Sequence, residues 1–515
     1  MPTLAESLAQ WAAELQLKDV PARVVERTKL QTLSVLASIY SGTASEGGQA
    51  VLKTVRGWRQ EGPCTLLPSG ETASPHSALF AHTAFSMAYD FDDYCFMGHT
   101  GHSAALTALT LGEALDADGK ALLEAQVAAN EIAGRIGAAC LIGPHNGQAW
   151  SFIHLAGASI AASKLMGLDA DRTADALTLA FMQPNYMLFP GFFSGAKLLT
   201  AAVPATAGLQ AAQLAASGLR GARHVLEPDG GFLLHFSFAP QTWALGGLGR
   251  AWVSDSLAYK PVPGCAYIDS GVEAAESLLA DGLKPGDIGE VEVRAGKLTT
   301  TMERLGETFA PRLSTVRTTF SLRYSLAALF AHGRLTPREI ARPDPALMER
   351  WAERISLRYD PSLTLTTIRA LQEFDIHPLA GLGLRDLVRM ARLARVLGPP
   401  LDLQPSDLLL GPTMLRSWRR RVPEFESLEG LKFPFPAEVT VRLSGGGTRR
   451  ALVEIPRGAP GRPLAEVKET VRQKFLQEAG PALGERSREA AELVEKMERL
   501  ASPGALVELL PGEYR

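Results

Sequence analysis

The chain has 515 residues, which is longer than one small core can organise, so we expect two domains or one domain with a large insertion. Its hydrophobic fraction of 46% is typical of a packed globular protein, and its formal net charge of −3 provides no overall field for nucleic acid or an anionic membrane. The four cysteines lie far apart without a CxxC pair, which excludes a disulfide framework and a cysteine zinc site. The N-terminus lacks the basic start and apolar core of a signal peptide, and the apolar runs are typical of buried helices. We therefore predict a cytoplasmic protein.

The first half of the chain is dominated by alanine- and leucine-rich patterns with helical periodicity. The runs 22–40, 120–142, 155–165, 170–182 and 203–216 predict helices, several of them buried all round. Helical periodicity ends near residue 260 and returns over 464–500. We therefore expect one all-helical domain formed by residues 1–260 and 461–515.

The segment between these parts has a different pattern. A predicted helix at 270–280 is followed by alternating apolar and polar residues at 288–294, 354–360, 437–443 and 450–455, which predict β-strands. The glycines at 445–447 lie in a hairpin turn, so they do not form a phosphate loop. We predict a mainly α fold with an inserted α/β lid domain over residues 261–460.

A cluster of acidic and histidine residues lies between two apolar, helix-like runs. Asp90, Asp92, Asp93, His99 and His102 fall within thirteen residues. Neighbouring carboxylates raise one another's pKa, and histidine transfers protons near neutral pH. A solvated, Asp-rich turn is the simpler interpretation. The apolar flanks favour a partly buried acid–base centre.

Six short motifs together resemble the MmgE/PrpD family, which includes 2-methylcitrate dehydratase, cis-aconitate decarboxylase and iminodisuccinate epimerase. They are the motif 90–93, His99 fourteen positions before Glu113, the run 164–169, Lys197 twenty-one positions before Gly218, and the motifs 260–265 and 320–324. The resemblance covers residues 1 to about 360 and again from about 435 onward, as in a divergent member. It implies a helical domain and an α/β lid with the active site between them, a homodimer, no organic cofactor and no metal.

The resemblance places Asp90, His99, Lys197, Lys260 and Tyr324 on the family's catalytic positions. Elimination of water needs a base, an acid and cationic donors for enolate charge. His99 could move the proton while Asp90 holds its ring, and the lysines could bind carboxylate or enolate oxygens. For Lys260 and Tyr324, an inter-domain contact or a packed ring is an equal alternative. Further candidates for substrate contact are Gln148, Tyr94, His102, Arg323, Tyr186, Phe189 and Phe193.

Three features depart from the family pattern. Gln148 stands where the family has a second histidine, and glutamine cannot transfer a proton, although His145 or His154 could substitute. The segment 181–193 is rich in Met and Phe, which favours a larger and more apolar substrate than methylcitrate if it lines the site. Residues 362–432 form a family-atypical insertion that could cover the pocket mouth. Its basic run at 416–421 is more typical of a solvated face or a subunit contact than of a nucleic-acid site.

These patterns together predict a cofactor-independent lyase that dehydrates a β-hydroxy carbonyl or carboxylate compound. The apolar segment points to a bulky specialised metabolite, and conjugate addition after dehydration could close a ring. Three alternatives stay open: a 2-methylcitrate dehydratase or cis-aconitate-type decarboxylase, an epimerase, and a non-catalytic binding or oligomeric partner. We expect a small-molecule substrate and a homodimer, with no nucleic acid and no membrane as partners.

Overall fold

The computed structural model describes residues 2–96, 98–143, 151–184, 188–377, 379–397, 404–421 and 424–512. Most of these residues are helical. The helices of the first half are α1 (Leu4–Glu14), α2 (Ala22–Ala44), α3 (Glu46–Trp58), α4 (Pro75–Met87), α5 (Gly101–Leu115), α6 (Gly119–Ala139), α7 (Phe152–Leu165), α8 (Ala170–Phe181), α9 (Phe189–Phe192), α10 (Leu199–Ala216) and α11 (Phe232–Phe236).

The second half contains more short helices. They are α12 (Asp269–Ala280), α13 (Lys297–Phe309), α14 (Thr315–Thr319), α15 (Leu322–His332), α16 (Pro337–Ala341), α17 (Pro345–Ala352), α18 (Pro361–Gln372), α19 (Leu384–Leu397), α20 (Gly411–Trp418), α21 (Leu464–Leu483), α22 (Arg486–Glu495) and α23 (Gly504–Val507). The strands are β1 (Cys64–Leu66), β2 (Glu71–Ala73), β3 (Asp93–Tyr94), β4 (Ala258–Tyr259), β5 (Ile288–Ala295), β6 (Ile355–Tyr359), β7 (Ala437–Leu443) and β8 (Thr448–Val453).

Small residues allow the helices of the first half to pack closely. Helix α10 packs on α7 and α8, and α6 packs on α7. A Cβ atom at Gly208 of α10 would lie 2.7 Å from the Leu155 carbonyl oxygen, so this crossing needs glycine. Among the described residues, one helical segment, Gly195–Ala216, is long and apolar enough to cross a membrane. Its most apolar window is 61% buried, as is usual for a core helix.

The C-terminal helices pack against the first half of the chain. Helix α21 lies on α2 and buries Val467, Val471, Phe475 and Ala479, which recur at helical spacing. Lys29 of α2 donates to the Glu495 carbonyl oxygen at 2.9 Å at the end of α22. These contacts join two segments that lie at opposite ends of the sequence.

The four predicted strands of the second half form one mixed sheet with the order β6-β5-β7-β8. Strand β5 pairs in parallel with β6 and antiparallel with β7, and β7 and β8 form a hairpin. The sheet buries Val291, Val293, Val439 and Val441 in a core shared with α12 and α15. The chain is therefore mainly helical with a small mixed sheet, while the domain limits at 261 and 460 stay a prediction.

Candidate active site

A two-stranded ladder brings the acidic motif to Lys260. Strand β3 pairs with β4 so that Asp93 lies opposite Tyr259, and the Lys260 amide donates to the Asp92 carbonyl oxygen at 3.0 Å. Asp90, just after α4, has a φ of 53°, a left-handed conformation that aspartate tolerates better than most residues. The tight turn directs both the Asp90 and the Asp92 carboxylates towards Lys260.

Lys260 is fully buried and bound by this turn. Its Nζ donates to the Asp90 carbonyl oxygen at 2.9 Å, to Asp92 Oδ1 at 2.8 Å and to Asp90 Oδ1. Burial opposes charge on the amine, but the two carboxylates outweigh it and raise the pKa of Lys260 above its ordinary value. Because these contacts use all three protons of the ammonium group, Lys260 has no free donor for a further ligand.

Lys197 lies next to the second carboxylate oxygen of Asp90. It lies in the 3₁₀ turn Gly195–Leu198 just before α10, and its buried Nζ is 3.3 Å from Asp90 Oδ2. The amine also lies 4.8 Å from the centre of the Phe320 ring. Burial lowers the pKa of Lys197, and Asp90 counteracts this only in part. Lys197 is therefore a buried amine that gives up its proton more readily than a surface lysine.

His99 is held by Asp92. His99 Nδ1 lies 2.7 Å from Asp92 Oδ2, and His102 Nε2 lies 2.9 Å from the same oxygen. The prediction that Asp90 orients His99 was therefore wrong, because Asp90 faces the two lysines. A carboxylate accepts from the Nδ1–H tautomer, which leaves the Nε2 lone pair of His99 free to take a proton. Burial lowers the pKa of His99, so its neutral form prevails near pH 7.

Two further imidazoles lie behind His99. His102 Nδ1 forms a hydrogen bond of 2.7 Å with Ser86 Oγ, whereas the contact of its Nε2 with Asp92 is an ion-pair contact without hydrogen-bond geometry. The ring centre of His154 is 5.7 Å from that of His102, and its Nδ1 contacts Ser103 Oγ at 3.2 Å. Burial holds the pKa of His154 well below its ordinary value. His145, the other proposed substitute for the second histidine, lies outside the described residues.

Asp92, His99 and His102 are also the one group of metal-ligand type in the described part of the chain, with ligand atoms within 4.8 Å of one another. Two ligand atoms of a tetrahedral zinc ion would be roughly 3.3 Å apart, given bonds of about 2.0–2.1 Å. Here Asp92 Oδ2 is 2.7 and 2.9 Å from the two nitrogens. Both distances are shorter than the separation of two ligands of one such ion, so the residues as arranged do not fit a shared ion.

The other predicted residues lie in several different surroundings. The Tyr324 hydroxyl donates to Glu349 Oε1 at 2.7 Å, and Arg323 lies 3.6 Å from Glu307, so these contacts involve neither His99 nor the lysines. Tyr94 is buried against Phe433 and Phe435. Phe193 packs at a tilt of 53° against Phe320, the ring beneath Lys197, with ring centres 4.9 Å apart. Gln148, Tyr186 and the side chain of Phe189 lie outside what the structure describes.

Several residues of the site were not singled out from the sequence. The sequence places Asp92 and Asp93 in the acidic motif but indicates no particular role for either of them. Asp93 accepts from Gln31 Nε2 at 2.7 Å, and burial followed by the charge of Asp92 raises the pKa of Asp93 to about 7. Lys474 of α21 contacts the turn between Asp90 and Asp92. One signal was available, since Lys474 falls on the apolar stripe of α21 next to Phe475.

Comparison with known proteins indicates the family that this chain resembles. A helical body with a buried histidine–aspartate–lysine cluster is characteristic of an enzyme that uses acid–base chemistry. Residues 6–243 match the MmgE/PrpD N-terminal domain, and this match supports membership of the MmgE/PrpD family.

Three curated relatives align with about half of the chain. The chain is 26% identical over 294 residues to cis-aconitate decarboxylase of Aspergillus terreus, which covers 53% of this chain and 60% of that protein. It is 27% identical over 290 residues to the cis-aconitate decarboxylase of Aspergillus terreus strain NIH 2624 / FGSC A1156. This alignment covers 53% of this chain and 59% of that protein. It is 27% identical over 299 residues to the cis-aconitate decarboxylase-like protein oryM of Aspergillus oryzae. This alignment covers 53% of this chain and 60% of that protein. The match therefore spans about 60% of the relatives' length.

Proposed function

We propose that this protein is a cofactor-independent lyase that dehydrates a β-hydroxy carbonyl or carboxylate compound. The observation that carries the proposal is the His99 ring, which is held by Asp92 beside a buried Lys197–Asp90 pair. This arrangement supplies a base with a fixed tautomer and a nearby proton donor. The match to the MmgE/PrpD N-terminal domain supports an enzyme in general.

In the proposed reaction His99 Nε2 takes the proton on the carbon next to the carbonyl group. Asp92 stabilises the imidazolium that forms, as a carboxylate does in other His–Asp pairs. The electron pair of the broken C–H bond forms the C=C bond, and the β C–O bond breaks. Lys197 donates a proton to the departing hydroxyl, which leaves as water. Alternatively, Lys197 donates a hydrogen bond to the enolate oxygen. Lys260 positions Asp90 and Asp92 instead of binding substrate.

The charge balance of the cluster favours a substrate with few carboxylates. Lys197 and Lys260 are matched by Asp90 and Asp92, so the cluster has little spare positive charge for a tricarboxylate. The rings of Phe193 and Phe320 provide apolar surface next to Lys197. We therefore propose a bulky, mostly apolar substrate, whose unsaturated product an internal nucleophile could capture to close a ring. A homodimer in the cytoplasm belongs to the same proposal.

Decarboxylation is the second candidate, because the curated relatives named above are cis-aconitate decarboxylases. Loss of CO₂ passes through the same kind of carbanion or enolate, and Lys197 could return a proton to it. Epimerisation needs only removal and return of the proton at His99. A non-catalytic member would show no proton transfer at all.

The test incubates the purified protein in D₂O with hydrophobic β-hydroxy carbonyl compounds, methylcitrate and cis-aconitate. Deuterium at the α-carbon, water loss and CO₂ release are followed separately. We expect water loss from an apolar compound, and a fall in turnover of about two to four orders of magnitude in His99→Gln. The control is His76→Gln, whose imidazole binds Gln213 away from the cluster.

Other outcomes identify the alternatives. Turnover of methylcitrate or cis-aconitate at about 10⁴ M⁻¹s⁻¹ or more would contradict the proposed substrate class. Deuterium exchange without loss of water or CO₂ would indicate an epimerase. Normal turnover in a folded His99→Gln protein would remove histidine from the mechanism.

A further inference from the structure

Lys474 is a buried lysine that the proposed reaction does not use. It lies on α21, within the buried stripe of Val467, Val471 and Phe475, and only 5% of its surface is exposed. Burial lowers the pKa of Lys474 to about 7, although Asp92 and Asp93 oppose the shift. Since a methionine would fill this position without such a desolvation cost, the amine calls for a specific explanation.

The contacts of Lys474 converge on the turn that carries the two catalytic carboxylates. Its Nζ donates to the Phe91 carbonyl oxygen and to Ser34 Oγ at 2.9 Å, and lies 4.0 Å from the centre of the Phe91 ring. Phe91 is the single residue between Asp90 and Asp92. Ser34 in turn donates to the Asp92 carbonyl oxygen at 3.4 Å. Lys474 therefore binds the peptide between Asp90, which contacts both lysines, and Asp92, which contacts Lys260 and His99.

We propose that Lys474 is a positioning residue, which fixes the Asp90–Phe91–Asp92 turn and thereby the hydrogen bond between Asp92 and His99. The catalytic part of this inference rests on the proposed function, whereas the positioning part concerns the hydrogen bond itself. Misplacement of a catalytic group by about 1 Å typically costs about 100-fold in rate. An anchor on the backbone at Phe91 acts directly on that geometry.

A cleft gives small molecules access to Lys474. It has a volume of about 470 Å³ and is lined by Lys474, Phe91, Val262 and Gln477, among others. The cleft therefore lies against the side of the catalytic turn that Lys474 binds. A truncated side chain at position 474 would leave a space that a small alkylamine can reach from solvent.

The experiment compares Lys474→Met with the control Lys468→Met, which lies on the same helix and removes a surface ion pair with Glu495. The first readout is the low-field ¹H NMR resonance of the His99 Nδ1–H, assigned by its loss in His99→Gln. We expect Lys474→Met to shift or abolish this resonance and to lower kcat about 10- to 100-fold, with little change in KM. The control should leave both unchanged.

Chemical rescue provides a second and independent test. Ethylamine added to Lys474→Ala should restore the resonance and the turnover together, and should have no effect on Lys468→Ala. A folded Lys474→Met protein with an unchanged resonance and normal turnover would overturn the proposal. If Lys474→Met does not fold, the test uses Lys474→Ala with ethylamine. A Lys474→Ala protein that folds in ethylamine but does not regain the resonance would overturn the proposal. Because the resonance needs no substrate, it tests the positioning even if the proposed reaction proves wrong.

Discussion

Asp92 has more contacts with the site than any other single carboxylate described above. Its Oδ2 lies against His99 and His102, and its Oδ1 accepts from Lys260. Burial opposes its charge, but Lys260 and the histidines keep the pKa of Asp92 well below its ordinary value. The residue therefore stays ionised, and its charge opposes the lowering of the His99 pKa that burial causes.

We expect Asp92→Asn to change both the rate and its pH dependence. The amide removes the charge that favours the imidazolium, so kcat should fall by about 100-fold or more. The acid limb of kcat/KM should move to lower pH, because the pKa of His99 falls further. The pH–rate profiles of wild type, Asp92→Asn and the exposed control Asp281→Asn provide the measurement. If the acid limb of kcat/KM lies at the same pH in Asp92→Asn as in wild type, protonation of His99 is not the event that produces this limb.

A second residue-scale prediction concerns His82, which is buried on α4 away from His99. Its Nε2 accepts from the Leu67 amide at 2.9 Å, and Nδ1 contacts Thr110 at 3.1 Å. Burial lowers the pKa of His82 from 6.5 to about 4. Below pH 6.5 the unfolded chain therefore binds more protons at His82 than the folded protein does. The contribution of the neutral ring to the free energy of unfolding is fully present above pH 6.5 and is lost as the pH falls towards 4.

The measurement is the free energy of unfolding of wild type and His82→Gln at pH 6.5 and 5.5. The difference between the two proteins should shrink by about 1 kcal/mol over this step. Taking the difference between the two proteins cancels the contributions of other titrating groups, such as Asp93, whose effect on stability changes with pH in the opposite direction. A constant difference would mean that His82 takes up a proton in the folded protein.

At the scale of elements, the start of α5 is fitted closely against the acidic motif. The Gly101 amide donates to Asp93 Oδ2 at 3.3 Å, and a Cβ atom at Gly101 would lie 1.9 Å from Asp93 Oδ1. The same helix carries His102 one residue later. The absence of a side chain at Gly101 therefore lets α5 bring its histidine to Asp92.

Gly101→Ala should lower the free energy of unfolding by about 1–3 kcal/mol, because α5 or Asp93 must move. Gly57→Ala on α3 is the matched control, since a Cβ there meets nothing within 4 Å and alanine favours the helix. We expect that control to raise stability by about 0.5–1 kcal/mol. Denaturant titration measures both, and equal effects of the two substitutions would contradict the close fit at Gly101.

At the scale of the whole molecule, the packing of α21 on α2 joins the end of the described chain to its beginning. Phe475 is fully buried there, with its ring centre 6.3 Å from that of Tyr40. We expect Phe475→Ala to lower the free energy of unfolding by about 3–5 kcal/mol. Leu384→Ala, whose side chain is 72% exposed, should change it by about 0.5 kcal/mol or less. A small effect at Phe475 would mean that α21 contributes little to the fold.

The local periodicity of the sequence determined much of this architecture. The helical runs of the first half and the four strands between residues 288 and 453 follow from periods of 3.6 and 2, which depend only on near neighbours. The cluster of Asp90, Asp92, His99 and His102 was also visible, because its members lie within thirteen residues.

Only the tertiary structure decided which partners these residues take. Asp90 and Asp92 are two positions apart, and the turn with its left-handed residue Asp90 places Asp90 against both lysines and Asp92 between Lys260 and His99. Lys474 contacts Phe91 across 383 residues. No periodic pattern encodes such a pair, because its contact depends on how α21 packs against α2. The elements were therefore local consequences of the sequence, whereas the hydrogen bonds that define the site depend on the packing of distant segments.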